Sequence, residues 1–303
     1  MNDVLAIEIR GLEKAYGPVW ALRGVDLEVP RGEVFGFLGP NGAGKTTTIR
    51  CMLDLIRPQA GAIRVLGLDP QAEPTAVRAR VGYLPGELNL EPNLRVRATL
   101  RYLAALRGNR IDWGYVEQLA ARLQLGLDTP VKNLSKGNKQ KVGIIQALMA
   151  RPDLLLLDEP TAGLDPLMQQ EVYRLVEEAA SAGATVFFSS HVISEVEVLA
   201  SRVAIIRQGR IVETVAPRQL LSMTTRRVRL RFMEAVDAQI LAEAPGVTVL
   251  NEDDATSATL QVEGTMDGLI KALVHLPVAD LQTEHPSLEE LFLAYYKGQG
   301  EAA

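Results

Sequence analysis

Apolar and polar positions change their period along this chain in a way that marks out its elements. Val25, Leu27 and Val29 alternate with Asp26 and Glu28, and Pro30-Arg31-Gly32 then supplies a turn, so this stretch reads as a half-buried strand. A continuous apolar run at 34–38 follows and predicts a buried strand, which leads into a glycine-rich loop. From Lys45 the period becomes that of a helix, with Ile49, Met52, Leu53 and Ile56 at i, i+3, i+4 and i+7. Strand, glycine loop and helix in succession make the βα unit of an α/β protein.

Further helical faces fall at Val116, Leu119, Ala120 and Leu123, with Gly126 as the expected C′ residue, and at Val142, Ile145 and Met149, ahead of Pro152. Another runs through Met168, Val172, Leu175, Val176 and Ala179. Apolar runs at 154–157, 185–188 and 203–206 predict buried strands, and Arg207-Gln208-Gly209-Arg210 reads as a hairpin turn into Ile211 and Val212. Residues of about 87–150 are almost wholly helical in pattern, which predicts a helical subdomain inserted in an α/β core spanning 1–220. Beyond it, Arg227, Arg229 and Arg231 share one face of a strand opposite Val228 and Leu230. Two more strands at 247–250 and 258–262 and a helix at 269–276 predict a small α+β accessory domain at 221–303.

Composition narrows the function. Of 303 residues, 47% are hydrophobic and 23% charged, the balance of a soluble globular protein. Aromatics at 5% are too sparse for a stacking platform for single-stranded nucleic acid. The longest charge-free run is the 16 residues 179–194, interrupted by Ser, Gly, Thr and His, so no bilayer-spanning segment is expected. The first ten residues lack a signal-peptide pattern, which predicts a cytoplasmic location. Cys51 stands alone, excluding an intramolecular disulfide and a cysteine-based zinc cluster. The charge of −5 is uneven: residues 220–303 hold 6 Lys or Arg against 13 Asp or Glu. That acidic end argues against nucleic acid or an anionic membrane surface as a partner.

The chemistry centres on Gly39-Pro40-Asn41-Gly42-Ala43-Gly44-Lys45-Thr46, which fits G-x-x-x-x-G-K-[ST] between a buried strand and an amphipathic helix. Its glycines let backbone N–H groups turn inward around phosphates, and the helix N-terminus adds partial positive charge. Lys45 would reach the β and γ oxygens of ATP, the Thr46 hydroxyl would ligate Mg²⁺, and Thr47 would complete the loop's nucleotide contacts. The run at 154–157 ends in Asp158 and Glu159, two carboxylates at the C-terminal end of a buried strand, where α/β sheets bind ligands. Asp158 is expected to hold the metal, directly or through water, and Glu159 to polarise the attacking water.

With these motifs and four more segments, residues 4–220 resemble the ATP-binding subunit of an ABC transporter. Lys14-Ala15-Tyr16-Gly17 is similar to the loop whose aromatic ring stacks on adenine, which implies that role for Tyr16. Leu134-Ser135-Lys136-Gly137-Asn138 resembles the family signature LSGGQ with lysine for the first glycine and asparagine for the glutamine. The resemblance implies that Ser135 and Gly137 meet the nucleotide of a second subunit, while a helix cap by Ser135 or Asn138 is compatible with it. Ala162-Gly163-Leu164-Asp165 resembles the D-loop that communicates across the dimer, although Asp165-Pro166 is also good N-cap and N1 chemistry. His191, after Ser189-Ser190, resembles the switch histidine that contacts the γ-phosphate. His275 and His285 match no motif.

One departure concerns Gly82-Tyr83-Leu84-Pro85, which leads in this family to a glutamine that binds Mg²⁺. Here Gly86 and Glu87 follow, and Glu87 either takes the metal ligand's place or is a solvated loop residue. The segment Pro286-Ser287-Leu288-Glu289-Glu290-Leu291-Phe292 resembles the tails of exporter ATPases paired with ABC-2-type permeases. The resemblance therefore implies a transport ATPase using Mg·ATP and dimerising with a second copy or a homologous ATPase subunit. It would drive an integral membrane permease from the cytoplasmic face, with export as the direction. A DNA- or ribosome-directed ABC ATPase would carry a long coiled coil or two ATPase units per chain, and a small-molecule kinase would not need the signature segment or His191.

Overall fold

A computed structural model describes residues 4–107, 111–217 and 225–284. By its contacts the chain divides into two units, 1–215 and 216–303, each with a core of its own.

The first unit opens with two long strands, β1 (Leu5–Tyr16) and β2 (Val19–Pro30), joined by a tight turn at Gly17. They pair antiparallel, and β1 also pairs with β4 (Ala60–Val65), giving a three-stranded sheet in the order β2-β1-β4. The half-buried pattern of 25–29 holds: Val25, Leu27 and Val29 are buried and Asp26 and Glu28 exposed. The second sheet is built from β3 (Val34–Leu38), β5 (Val81–Leu84), β6 (Leu154–Asp158), β7 (Thr185–Ser190), β8 (Arg202–Arg207) and β9 (Arg210–Val215). Its order is β5-β6-β7-β3-β8-β9, parallel up to β8, with β9 added antiparallel by the hairpin at Gln208 and Gly209. All five residues of β6 and all six of β7 are buried, because both faces of the parallel sheet are covered, one of them by the three-stranded sheet together with α1. Phe35, Phe37 and Phe187 pack into one cluster with β1 and β2 residues, Phe35 and Phe187 stacked at 5.9 Å between centroids.

Seven helices surround these sheets among the described residues. They are α1 (Lys45–Met52), α2 (Pro74–Arg80), α3 (Val96–Leu106), α4 (Trp113–Arg122), α5 (Lys136–Leu148), α6 (Pro166–Ser181) and α7 (Ile193–Leu199). Between β5 and β6 the described residues contain α3, α4, α5 and a short 3-10 turn. The expected α/β class therefore holds.

Two helix ends correct the sequence reading. α1 ends at Met52 rather than reaching Ile56, because Asp54 turns left-handed (φ 50°) and Leu55 N–H closes onto the Arg50 carbonyl at 2.9 Å. At the end of α4 the left-handed residue is Gln124 (φ 51°), not Gly126. Leu125 N–H bonds Ala120 O at 2.8 Å and Gln124 N–H bonds Ala121 O at 3.0 Å, the pairing of a Schellman end.

The second unit is a four-stranded antiparallel sheet in the order β11-β12-β10-β13, with β10 (Thr225–Phe232), β11 (Val247–Asp254), β12 (Ser257–Glu263) and β13 (Val278–Glu284). A helix at Asp267–Leu273 and a 3-10 segment at Ala238–Glu243 complete it, which is α+β as expected. Val228, Leu230, Leu260, Val262 and Leu269 fill its core, while Arg229 and Arg231 lie exposed opposite. The helix stops at Leu273, short of the expected Leu276, and β13 was not predicted. His275 is exposed; His285 and the segment 286–292 lie outside the described residues.

Candidate functional site

The loop 39–46 runs from the end of β3 to the start of α1 and is fixed by backbone contacts that only glycine allows. Gly39 N–H donates to the Ser190 carbonyl at 3.1 Å, and a Cβ on Gly39 would sit 2.4 Å from the Ile206 carbonyl. Gly44 takes φ 113°, and a Cβ there would lie 2.7 Å from the Ala21 carbonyl. Asn41 and Gly42 are exposed at the loop's tip, Pro40 is half-buried and Ala43 is buried beneath. Lys45 is buried and folds back over the loop, its Nζ 2.6 Å from Gly39 O and 3.2 Å from Pro40 O. Burial pulls this ammonium below the ordinary lysine value, and the charges of Glu159 and Asp158 oppose that pull.

Asp158 closes β6 and is 1% exposed, with both oxygens engaged. Oδ1 accepts from Ser189 Oγ at 2.5 Å and Oδ2 accepts from Thr46 Oγ1 at 2.7 Å. Thr47, next in the helix, is half-buried. Glu159 adopts φ 51°, a left-handed conformation uncommon for a side chain of its size. It is held from both sides: its N–H reaches Ser189 O at 3.2 Å and Ser189 Oγ at 3.1 Å, and its carbonyl accepts from Gln140 Nε2 at 2.9 Å. That turn aims the Glu159 carboxylate at the Lys45 ammonium and the His191 imidazole: Oε1 lies 3.7 Å from Lys45 Nζ and 3.1 Å from His191 Nδ1.

Lys45, Thr46, Asp158, Glu159 and His191 thus form one cluster at the C-terminal edge of the parallel sheet, the edge where such sheets take ligands. A hydroxyl and a carboxylate in contact are hard oxygen donors, which suits Mg²⁺, and at Gly42 a Cβ would meet nothing within 4 Å, so the loop's tip is open to phosphate oxygens.

Other expected residues stand at separate places. Tyr16 is half-exposed at the β1–β2 turn, with Lys14 Nζ 5.4 Å from its ring centroid. Ser135 caps α5, its Oγ accepting from Asn138 N–H at 3.2 Å, so of the two cap candidates the serine serves. Gly137 presses on the loop at 162–165: a Cβ there would be 2.5 Å from Gly163 O. Asp165 caps α6 by accepting from Leu167 and Met168 N–H at 3.1 and 3.0 Å. Glu87 is exposed, and the residue lying against Asp158 is Gly86, whose Cβ would be 3.1 Å from Oδ2.

Sequence reasoning assigned no role to Gln140, Ser189, Thr161 or Glu195. For Glu195 a signal exists, since Val192, Glu195, Val196 and Leu199 fall at i, i+3, i+4 and i+7 and place an acid on an apolar stripe. Gln140 carries no such mark beyond standing next to the signature segment.

Comparison with known proteins places this geometry. A family profile described as "ABC transporter" matches residues 22–162. The daunorubicin/doxorubicin resistance ATP-binding protein of Streptomyces peucetius is 36% identical over 95% of this chain and 92% of its own length. The chain belongs to the ABC transporter ATP-binding family. Among other ABC relatives, the linearmycin resistance ATP-binding protein of Bacillus subtilis is 32% identical over 95% of this chain and 97% of its own. A solved ATP-binding subunit of an ABC transporter superposes with a TM-score of 0.65 at 30% identity, covering 72% of this chain and 92% of that one. Membership makes the chain an ABC-type ATPase subunit that binds ATP. Among the described residues, no helix is long and apolar enough to cross a membrane.

Proposed function

We propose that this ABC ATPase binds Mg·ATP at the 39–46 loop, pairs head to tail with a second copy or a homologous subunit, and drives a separate membrane permease in export. The observation that carries the catalytic part is the Glu159 carboxylate, set between Lys45 and His191 beside the Thr46–Asp158 pair. Thr46 and Asp158 would hold Mg²⁺, with Glu87 as a further candidate from its loop. The metal, when bound, supplies positive charge against the phosphate oxygens.

In this reading Lys45 leaves its two carbonyl partners to bind the β and γ oxygens, and loop N–H groups between Asn41 and Thr47 orient the phosphates. Released from Lys45, Glu159 accepts a proton from the attacking water, and His191 orients that water and the γ-phosphate. Tyr16 stacks on adenine. Ser135, Gly137 and Asp165 serve the nucleotide of the opposite subunit. Relatives named for drug resistance, and the Nod factor export ATP-binding protein of Paraburkholderia xenovorans at 37% identity over 72% of this chain, support export. The 221–303 domain would contact the permease or the partner subunit on the inner face of the membrane.

Sedimentation of Glu159→Gln with and without Mg·ATP tests the paired arrangement. A nucleotide-dependent shift from monomer to dimer is expected, because hydrolysis no longer separates the subunits. A monomer at saturating Mg·ATP would contradict it.

A further inference from the structure

Behind the Glu159–His191 contact lies a buried carboxylate that touches neither residue. Glu195, on α7, is 7% exposed. Its Oε1 accepts from the Thr161 hydroxyl and its Oε2 accepts from Ser190 Oγ at 2.6 Å. Thr161 stands two residues after Glu159, and Ser190 immediately precedes His191. Ser190 Oγ also accepts from Val192 N–H at 2.9 Å, which folds the chain around His191.

A carboxylate only accepts, so two hydroxyls from two loops converge on one rigid group. Each of those loops carries one side of the 3.1 Å Glu159–His191 contact. An apolar side chain at 195 would extend the buried Val196/Leu199 stripe without the desolvation cost of a buried charge. The acid is thus a poor choice for core stability and a good one for fixing a spacing.

We infer that Glu195 is a positioning residue for ATP hydrolysis: by bonding Thr161 and Ser190 at once, it sets the distance between Glu159 and His191. This rests on the reading of Glu159 and His191 as the hydrolytic pair. It places the second anchor of that pair on α7, outside the phosphate loop itself, where Glu195 bonds the Ser190 hydroxyl and leaves the Ser190 carbonyl to Gly39 N–H, so that losing it should misalign chemistry without loosening nucleotide.

A double-mutant cycle on the full chain tests it, with kcat and ATP affinity measured for Glu195→Ala, His191→Ala and the pair. Glu195→Ala is expected to lower kcat on the order of tenfold or more, the scale of a small misplacement of reacting groups, with ATP affinity within about twofold. In the His191→Ala background it should cost nothing further, since there is no histidine left to position. An equal loss in both backgrounds, an unchanged kcat, or affinity falling in step with kcat would overturn the inference. If Glu195→Ala does not fold, Ser190→Ala combined with Thr161→Val removes both hydroxyls and supplies the same cycle. A His191→Ala variant with wild-type kcat would instead sink the hydrolytic pair itself, and the inference with it.

Discussion

The side-chain amide of Gln140 donates to the carbonyl of Glu159 at 2.9 Å and to that of Pro160 at 3.1 Å. Gln140 lies within the first turns of α5, the helix that Ser135 caps, so one helix both presents the signature segment and holds the backbone of the candidate base. The left-handed conformation of Glu159 costs about 1–3 kcal/mol for a side-chain-bearing residue and persists only where the surroundings enforce it.

Gln140→Ala removes both bonds: the Glu159 carbonyl keeps Ala162 N–H at 3.2 Å, while the buried Pro160 carbonyl loses its donor, at about 1–3 kcal/mol. The thermal midpoint should fall by a few degrees and kcat on the order of tenfold, while ATP affinity stays within about twofold. Paired calorimetry and steady-state kinetics check this. An unaltered kcat would show that Glu159 holds its conformation without α5.

Gly86 gives a different prediction. A methyl group there would approach Asp158 Oδ2 to 3.1 Å, and that carboxylate cannot step aside because Ser189 and Thr46 engage both of its oxygens. Gly86→Ala should therefore raise the Mg²⁺ concentration needed for half-maximal hydrolysis several-fold. A magnesium titration of the ATPase rate measures it; a curve that overlays wild type would mean that the 86–87 turn yields freely.

Cys51 reports on the helix behind the phosphate loop. Burial pushes its thiol up to about 11, so at pH 8 only about a thousandth is thiolate, against about a quarter for an unfolded cysteine near 8.5. A raised pKa in the fold means that this group's contribution to stability is intact below about pH 8.5 and is lost as pH climbs toward 11. Alkylation at pH 8 should be slow in native protein, accelerate with denaturant, and slow further with Mg·ATP, which binds only the folded state. Rapid alkylation of the native chain would show that α1 opens without global unfolding.

Much of this architecture was legible because period and burial coincide. The runs at 34–38 and 154–157 lie in parallel strands covered on both faces, and the Lys45–Thr46 motif follows one of them directly. β4, which reads Ala-Gly-Ala-Ile-Arg-Val, carries almost no alternation, since only Ile63 and Val65 are buried. Its pairing is set by β1, a long-range partner that no local pattern announces. The end of α1 was misjudged for a related reason: Ile56 continues the helical spacing, but a left-handed Asp54 ends the helix with no glycine to mark it. At the site, motif residues were found by spacing. Gln140 and Glu195 act on backbone and hydroxyl groups brought near only by the fold, which spacing along the chain does not encode.

The most direct test is ATP binding and turnover by Glu159→Gln beside Lys45→Ala. Replacing the carboxylate removes the candidate base while leaving Lys45, Thr46 and Asp158 in place. Glu159→Gln should thus keep ATP affinity within about twofold and lose turnover on the order of a hundredfold or more. Lys45→Ala removes the charge that meets the phosphates and should lose a comparable factor in rate together with affinity. Glu159→Gln hydrolysing ATP as fast as wild type would contradict the account.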